Sequence, residues 1–350
     1  MKKISVKALC AVLCAIMLLF SLVACSEEPY DYKLENYVKV SEHWKDIVVS
    51  EEEIIARRNK HLSETLKNTA RVEEILGRGA EYGDRVTVSF TFYVFDHAKG
   101  VYVEDATFSD KNCLIELGSG KYPAELEMAL RGTRKDQPFD VTLMLPLDFK
   151  YTSLQGKPVK YSGSVISVSD LIYGTLTDEI VRSVSACNTV EEYEQMLYVE
   201  AEKELYYEKL IGLASVDAYP EKEVDKYTSD YVNYYSDLAT KEGVTLEQYV
   251  AKKYFTELRD FHVQADSYAK SLVKSEMLLY YMARKYGITL SDAEYNERAY
   301  KYALQYGLEN VAQLEGKFGS YITKQTVLMD KVQEFVVAEV KNANLGEIPA

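Results

Sequence analysis

The spacing of apolar residues changes period once along this chain, and that change sets the fold class. From Gly83-Asp84 the period is two: Val86, Val88, Phe90, Phe92 and Val94 alternate with Thr87, Ser89, Thr91 and Tyr93, the pattern of a strand with one face on a core. Cys113, Ile115 and Leu117 repeat it, as do Phe139, Val141, Leu143 and Leu145, and then Val159, Tyr161, Gly163 and Val165. Strands are expected at each of these places. Between the second and third, Leu126 and Leu130 stand four apart behind Pro123, which predicts one short helix packed on the sheet. Beyond Leu176 the alternation stops. Capping signatures at Thr189/Glu192, Thr245/Gln248 and Ser291/Glu294, with stops at Gly243, Gly287 and Gly307, divide the remainder into helices. The expected class is α+β, a mainly antiparallel sheet on a short helix, followed by an all-α half.

A chain of 350 residues exceeds what one core usually organises. Ahead of the sheet, Ser50 and Glu53 form a capping box, and Ile54, Ile55, Leu62 and Leu66 recur at helical spacing, predicting a helix from 50 to about 70 that ends between Asn68 and Leu76. The expected organisation is a linker helix segment at 48–80, a sheet domain at 81–170 and a helical domain at 171–345. The linker helix is expected to pack on the helical domain and not on the sheet. Thirty tyrosines stand against one tryptophan, and Tyr227, Tyr231, Tyr234 and Tyr235 form one helix face. Leu278, Leu279, Met282 and Tyr286 form another.

The chain opens with Lys2, Lys3 and Lys7, runs apolar from Ala8 to Phe20 and reaches Leu22-Val23-Ala24-Cys25. That is a signal peptide over 1–24. The small residue before Cys25 resembles the cleavage pattern of bacterial lipoproteins, which implies lipid attachment at Cys25 and a polar tether over 25–47. The apolar run is short of the ~20 residues a membrane span needs. With residues 1–24 go three lysines, taking the formal charge from −14 to −17. Such acidity disfavours nucleic acid as a partner. The cysteines left to the fold are Cys113 and Cys187, and the four histidines have no ligand-like spacing, so neither a disulfide framework nor a metal site is expected.

No serine-hydrolase elbow, phosphate-cradling glycine loop, His-Glu-x-x-His or dinucleotide fingerprint occurs, which counts against hydrolase, kinase and oxidoreductase readings. A solute-binding lipoprotein is disfavoured because no pair of similar α/β lobes can be read.

Residues 82–168 resemble the FKBP-type prolyl isomerase domain in the form found in trigger factors. The residues that carry the likeness are Gly83-Asp84-Arg85-Val86-Thr87-Val88-Ser89-Phe90-Thr91, Ile115-Glu116-Leu117-Gly118-Ser119-Gly120, Leu130-Arg131-Gly132, Leu145-Pro146-Leu147-Asp148-Phe149 and Leu154-Gln155-Gly156-Lys157. Val49 to Ile54 resembles the linker before that domain. Tyr219-Pro220-Glu221, Leu246-Glu247-Gln248-Tyr249 and Tyr286-Gly287-Ile288-Thr289-Leu290-Ser291 resemble the family's carboxy-terminal helical region. The family's ribosome-docking signature, of Gly-Phe-Arg type, is not found before residue 50.

The resemblance implies a pocket lined by Phe90 and Tyr161 on strands, Tyr122 and Leu126 at the helix entrance, and Phe149 and Tyr151 in a loop. Tyr102 or Val103, with Glu104, would occupy a bulge where the family has an aromatic followed by an acid. Tyr122-Pro123-Ala124 departs from the family's Ile-Pro-Gly at the helix start, and Cys113 stands where an aromatic is common. Phe90 and Tyr161 read equally well as core residues of a small sheet; the resemblance implies that the helix faces cradle unfolded segments, but Tyr227, Tyr231 and Tyr235 read more readily as helix-on-helix packing. The implied function is a lipid-anchored, extracytoplasmic folding factor with prolyl cis-trans isomerase and chaperone activity on exported, unfolded polypeptides, without cofactor and without the ribosome. A catalytically inactive holdase, using the same module to bind, is the alternative.

Overall fold

The computed structural model describes Tyr30 and residues 33–345; the expected signal peptide and Cys25 lie outside the described residues. In chain order the elements are β1 (Val38–Val40), α1 (Glu51–Thr69), β2 (Arg71–Glu74), β3 (Arg85–Asp96), β4 (Val101–Glu104), β5 (Asp110–Glu116), α2 (Ala124–Leu130), β6 (Pro138–Met144) and β7 (Pro158–Ile172). They continue with α3 (Asp178–Val184), α4 (Val190–Gly212), β8 (Ala214–Val216), α5 (Glu221–Lys241), α6 (Leu246–Tyr254), α7 (Leu258–Lys285), α8 (Asp292–Gln305), α9 (Val311–Phe318) and α10 (Ser320–Leu345). The chain forms two compact units, one of residues 70–174 with 232–265, the other of the remaining segments.

The sheet unit is antiparallel throughout. Its centre is the pair β3–β7; β5 and β4 also lie on β3, and β2 and β6 on β7. The period-two pattern places Val86, Val88, Phe90 and Phe92 on one buried face. Val159, Tyr161 and Val165 of β7 join them, with Phe139, Val141 and Leu143 of β6. Helix α2 closes this face with Leu126 and Leu130, both fully buried. Glu127 ties the helix to the preceding loop, accepting from the Gly118 N–H at 2.8 Å. At Gly163 the backbone of β7 passes so close to β3 that a Cβ there would lie 2.0 Å from the Ser89 carbonyl oxygen, so only glycine fits.

Two strands here differ from expectation. Residues 71–74 form β2, where a continuing helix was allowed, because α1 stops at Thr69 and the chain pairs with Arg71 opposite Ile172. All four β2 residues are exposed, so they carry no alternation to read. The hairpin strand β4 likewise has no buried face. Segment 232–265, assigned from sequence to the helical domain, belongs with the sheet: Ala251 is fully buried in the sheet core and Lys252 pairs with Asp110 at 2.9 Å.

The other unit is helical apart from β1 and β8, which pair Val38 with Val216. Residues 33–47 are not a free tether. Leu34, Val38, Trp44 and Ile47 are buried in the same core as Leu278, Leu279 and Met282; a stretch that looked polar on average carries enough apolar side chains to fold back. Helix α1 begins at the expected box, with Ser50 and Glu53 each bonding the other's backbone N–H. It packs on α4 through Ile54, Ala201 and Leu205. Arg57 bridges Glu204 at 3.0 Å and Glu208 at 2.6 Å, and Thr65 meets the Tyr193 hydroxyl at 2.8 Å. Gly243, Gly287 and Gly307 follow helices with φ of 71°, 63° and 65°, the left-handed stop that glycine adopts without strain.

Candidate functional site

An aromatic cluster lies where β3, β7, α2 and the β6–β7 loop meet. Its floor is Phe92, Phe90 and Tyr161, with Tyr161 ring centroids 5.2 Å from Phe90 and 4.9 Å from Phe92, both edge to face. The pairing of Phe92 with Tyr161 follows from the β3–β7 register. Phe108 covers Phe92 at 5.4 Å and touches Tyr151 at 5.0 Å. Tyr122, Phe149 and Tyr151 form a half-buried rim around this floor.

The rim is held by local geometry. Phe149 sits in a turn closed by its N–H on the Pro146 carbonyl at 3.2 Å, and Gln155 Nε2 donates to the Phe149 carbonyl at 2.9 Å. Tyr122 stands just before Pro123, which opens α2, and its hydroxyl lies 2.9 Å from Cys113 Sγ. Burial pushes the Cys113 thiol up to about 11 and the Tyr122 and Tyr161 hydroxyls well above the ordinary phenol range. All three therefore stay protonated at neutral pH. The cluster is apolar and neutral, with hydroxyls and a thiol as weak donors, and it contains no activated nucleophile.

Of the residues singled out in the sequence, Phe90, Tyr122, Leu126, Phe149, Tyr151 and Tyr161 come together here, Leu126 beneath the others in the core. Tyr102 and Glu104 do not. Tyr102 lies across from Phe95, its ring 5.2 Å away, and Glu104 is exposed opposite Tyr93. The bulge falls further along, in β5, where the four residues from Asp110 to Cys113 oppose the three from Phe90 to Val88. The aromatic and acid beside it are Phe108 and Asp110. Phe108-Ser109-Asp110 precedes the alternation of Cys113, Ile115 and Leu117 and is put out of step with it by the bulge itself, so spacing pointed one strand too early.

One member was outside every expectation. Phe255 packs on Phe149 at 5.3 Å, on Tyr122 at 5.7 Å and in parallel with Phe108 at 6.3 Å. It caps α6 in the left-handed conformation, φ 50° and ψ 43°, which costs a bulky residue about 1–3 kcal/mol. Thr245 and Gln248 form a full capping box at the other end of α6. Lys252 and Lys253 face Asp110 at 2.9 Å and 4.0 Å, and Glu257 accepts from the Thr152 N–H at 3.1 Å.

The tyrosine face of α5 is largely spent on packing. Tyr227 donates to the buried Glu276, which also accepts from Tyr30 at 2.7 Å. Tyr231 lies against Tyr268 at 5.0 Å, and Tyr235 against Phe261 at 5.2 Å. Tyr234 is exposed. In the helical unit a cleft of about 380 Å³ is lined by Glu200, Lys203, Arg298, Asp330 and Glu334 among others. Its charges are mostly paired with one another, Arg298 reaching Asp330 at 2.7 Å and Glu334 at 2.8 Å. Among the described residues no group of three or more His, Cys, Asp or Glu is arranged to hold a metal ion.

Residues 185–341 match the family described as the bacterial trigger factor protein C-terminus. The trigger factor of Finegoldia magna is 25% identical over 291 residues, covering 80% of this chain and 63% of that protein. That of Acetivibrio thermocellus is 26% identical over 325 residues, covering 89% and 73%. Streptococcus pneumoniae trigger factor is 25% identical over 327 residues, covering 88% and 71%. A solved structure from work on substrate recognition by the trigger factor chaperone aligns with 87% of this chain and 73% of its own, at 18% identity and a TM-score of 0.32. The chain thus spans between three fifths and three quarters of the length of these relatives.

Proposed function

We propose that this relative of the bacterial trigger factors is a folding factor that binds unfolded polypeptide, and that its sheet unit is an FKBP-like prolyl isomerase module. The observation that carries the reading is the neutral aromatic cluster of Phe90, Phe108, Tyr122, Phe149, Tyr151 and Tyr161 around one patch of the sheet. Rotation about an Xaa-Pro bond is opposed by amide resonance of ~18–20 kcal/mol and takes tens to hundreds of seconds unaided. Nothing covalent is needed to speed it. A ring-lined patch strips water from the amide and binds the twisted, single-bonded form more tightly than either planar isomer. A preference of about 6 kcal/mol corresponds to four to five powers of ten in rate. In this reading Phe149 and Tyr151 on the rim take the proline ring, Tyr161 forms the floor, and the Tyr122 hydroxyl, 2.9 Å from Cys113 Sγ, is the donor offered to the carbonyl.

Lipidation at Cys25 and action outside the cytoplasm complete the proposal. Support comes from the Lys2-Lys3 start, the apolar run to Phe20 and the small residue before Cys25. Clients are then met after export and not at the ribosome. A globomycin-sensitive shift in mass with incorporation of labelled palmitate supports this, and unmodified Cys25 in the membrane-free fraction refutes it.

The isomerase reading is tested with the protease-coupled assay on Ala-Leu-Pro and Ala-Phe-Pro peptides, using Phe149→Ala and Tyr161→Ala. Loss of rate in variants that remain folded is expected; rates equal to the parent remove these residues from the site. The second reading, a holdase without turnover, is favoured by the position of Phe255 over the cluster. It predicts peptide binding with exchange at the uncatalysed rate.

A further inference from the structure

The rings that Phe255 touches are the rim residues Tyr122 and Phe149 and the floor-covering Phe108. Beneath them the sheet core is already filled by Phe90, Phe92, Leu126 and Tyr161. Phe255 therefore sits over the aromatic patch as a bound side chain would, packed against a core whose buried members do not include it. Its backbone is left-handed although the residue is bulky, a conformation held by surroundings and not by preference. Two polar ties flank it: Lys252 on Asp110 at 2.9 Å, and Glu257 on the Thr152 N–H at 3.1 Å. Residues 255–257 are the whole connection between α6 and α7, so rotation there moves the ring by opening the capping bonds from the Phe255 and Thr256 N–H to Ala251 and Val250.

We propose that Phe255 is an internal ligand of the aromatic site, and that a client segment presenting an apolar or aromatic side chain binds by displacing it. This deepens the proposed function, resting on the reading of the cluster as the client site. A site occupied by its own chain shows a weakened apparent affinity, reduced by the fraction of molecules in which the occupant has left. Resting protein is then a poor binder of short peptides. A long unfolded chain, held at several points, supplies the effective concentration that displaces the ring.

The test measures binding of a fluorescein-labelled Ala-Phe-Pro-Phe peptide by anisotropy, on the full exported chain, alongside its isomerisation rate. Phe255→Ala is expected to bind at least about tenfold tighter than the parent, and Lys252→Ala to bind tighter by a smaller factor. Because Phe255→Ala can lose stability, amide exchange in the parent provides the second reading. Saturating peptide is expected to speed exchange of the Phe255 N–H, now bonded to Ala251, and of the Thr152 N–H. Equal or weaker binding by folded Phe255→Ala, or peptide bound with those two amides unchanged, overturns the proposal. Tighter binding with exchange at the uncatalysed rate upholds it and removes the isomerase reading instead. A parent that already isomerises as fast as Phe255→Ala overturns it and leaves that reading standing.

Discussion

Lys252 Nζ lies 2.9 Å from Asp110 Oδ2, and the Asp110 side chain is only 9% exposed. The pair links two residues 142 positions apart in sequence, and it fixes α6 on the sheet beside the aromatic cluster. Breaking one side of a buried pair leaves the other charge uncompensated, costing about 3–5 kcal/mol at full burial. Lys253, 4.0 Å away, softens the loss. Lys252→Met is expected to destabilise by about 2 kcal/mol, and the double variant with Asp110→Asn by less than the two singles together. Urea unfolding of the four proteins gives the coupling; strict additivity contradicts the pairing.

Gly163 tests the floor of the site. A Cβ there meets the Ser89 carbonyl oxygen at 2.0 Å and Phe90 Cα at 2.7 Å, so β3 and β7 must separate. Gly163→Ala is expected to lower stability by about 3 kcal/mol or more and to reduce peptide binding through displacement of Phe90. An unfolding midpoint unchanged from the parent shows that the strands do not approach as described.

The tyrosines of α5 divide by role. Tyr227 gives its hydroxyl to buried Glu276, so Tyr227→Phe should cost about 1–3 kcal/mol without changing the capture of unfolded client. Tyr234 is exposed, and Tyr234→Ala should leave stability within about 0.5 kcal/mol. Thermal unfolding and a client-aggregation assay on both variants separate the two. Reversal of this pattern places the client surface on the buried face.

Glu200 offers a pH signature. Burial raises its carboxyl to about 7, against the opposing pull of Lys203 and with Glu204, His61 and Asp330 nearby. A raised carboxyl pKa means that the folded state keeps a proton the unfolded state has lost. The associated stability is present below the ordinary carboxylate range and disappears as pH rises through about 7. The parent should therefore lose roughly 1–3 kcal/mol relative to Glu200→Gln between pH 5 and pH 8. Parallel stability curves for the two proteins rule this out.

The two free thiols of the described chain should react unequally. Cys113 is buried with its thiol pushed up to about 11, whereas Cys187 is half-buried. A thiol reagent at pH 8 should label Cys187 first, and Cys113 only after denaturant is added. Simultaneous labelling would mean that the Cys113–Tyr122 contact is open in solution.

Local signals were legible where local physics decides. The capping boxes at Ser50 and Thr245 form as read, because a hydroxyl and a carboxyl or amide three residues on need only a helix turn. The alternation in β3 and β7 gives their buried faces directly. Strand β2 was illegible because both its faces are exposed and its pairing with Ile172 comes from the far end of the domain. Phe108 was missed because a loop aromatic carries no period. Phe255 was missed for a different reason: its partners lie more than a hundred residues upstream, and its left-handed backbone follows from their packing and from no neighbour in the sequence.

The measurement closest to the central claim is the refolding of an unfolded protein whose slow phase is limited by an Xaa-Pro bond, with and without the chain from residue 25 onward. The account predicts that catalytic amounts shorten the slow phase and that Tyr161→Ala, confirmed as folded, abolishes the effect. A slow phase unchanged at any concentration of the parent and of Phe255→Ala contradicts it.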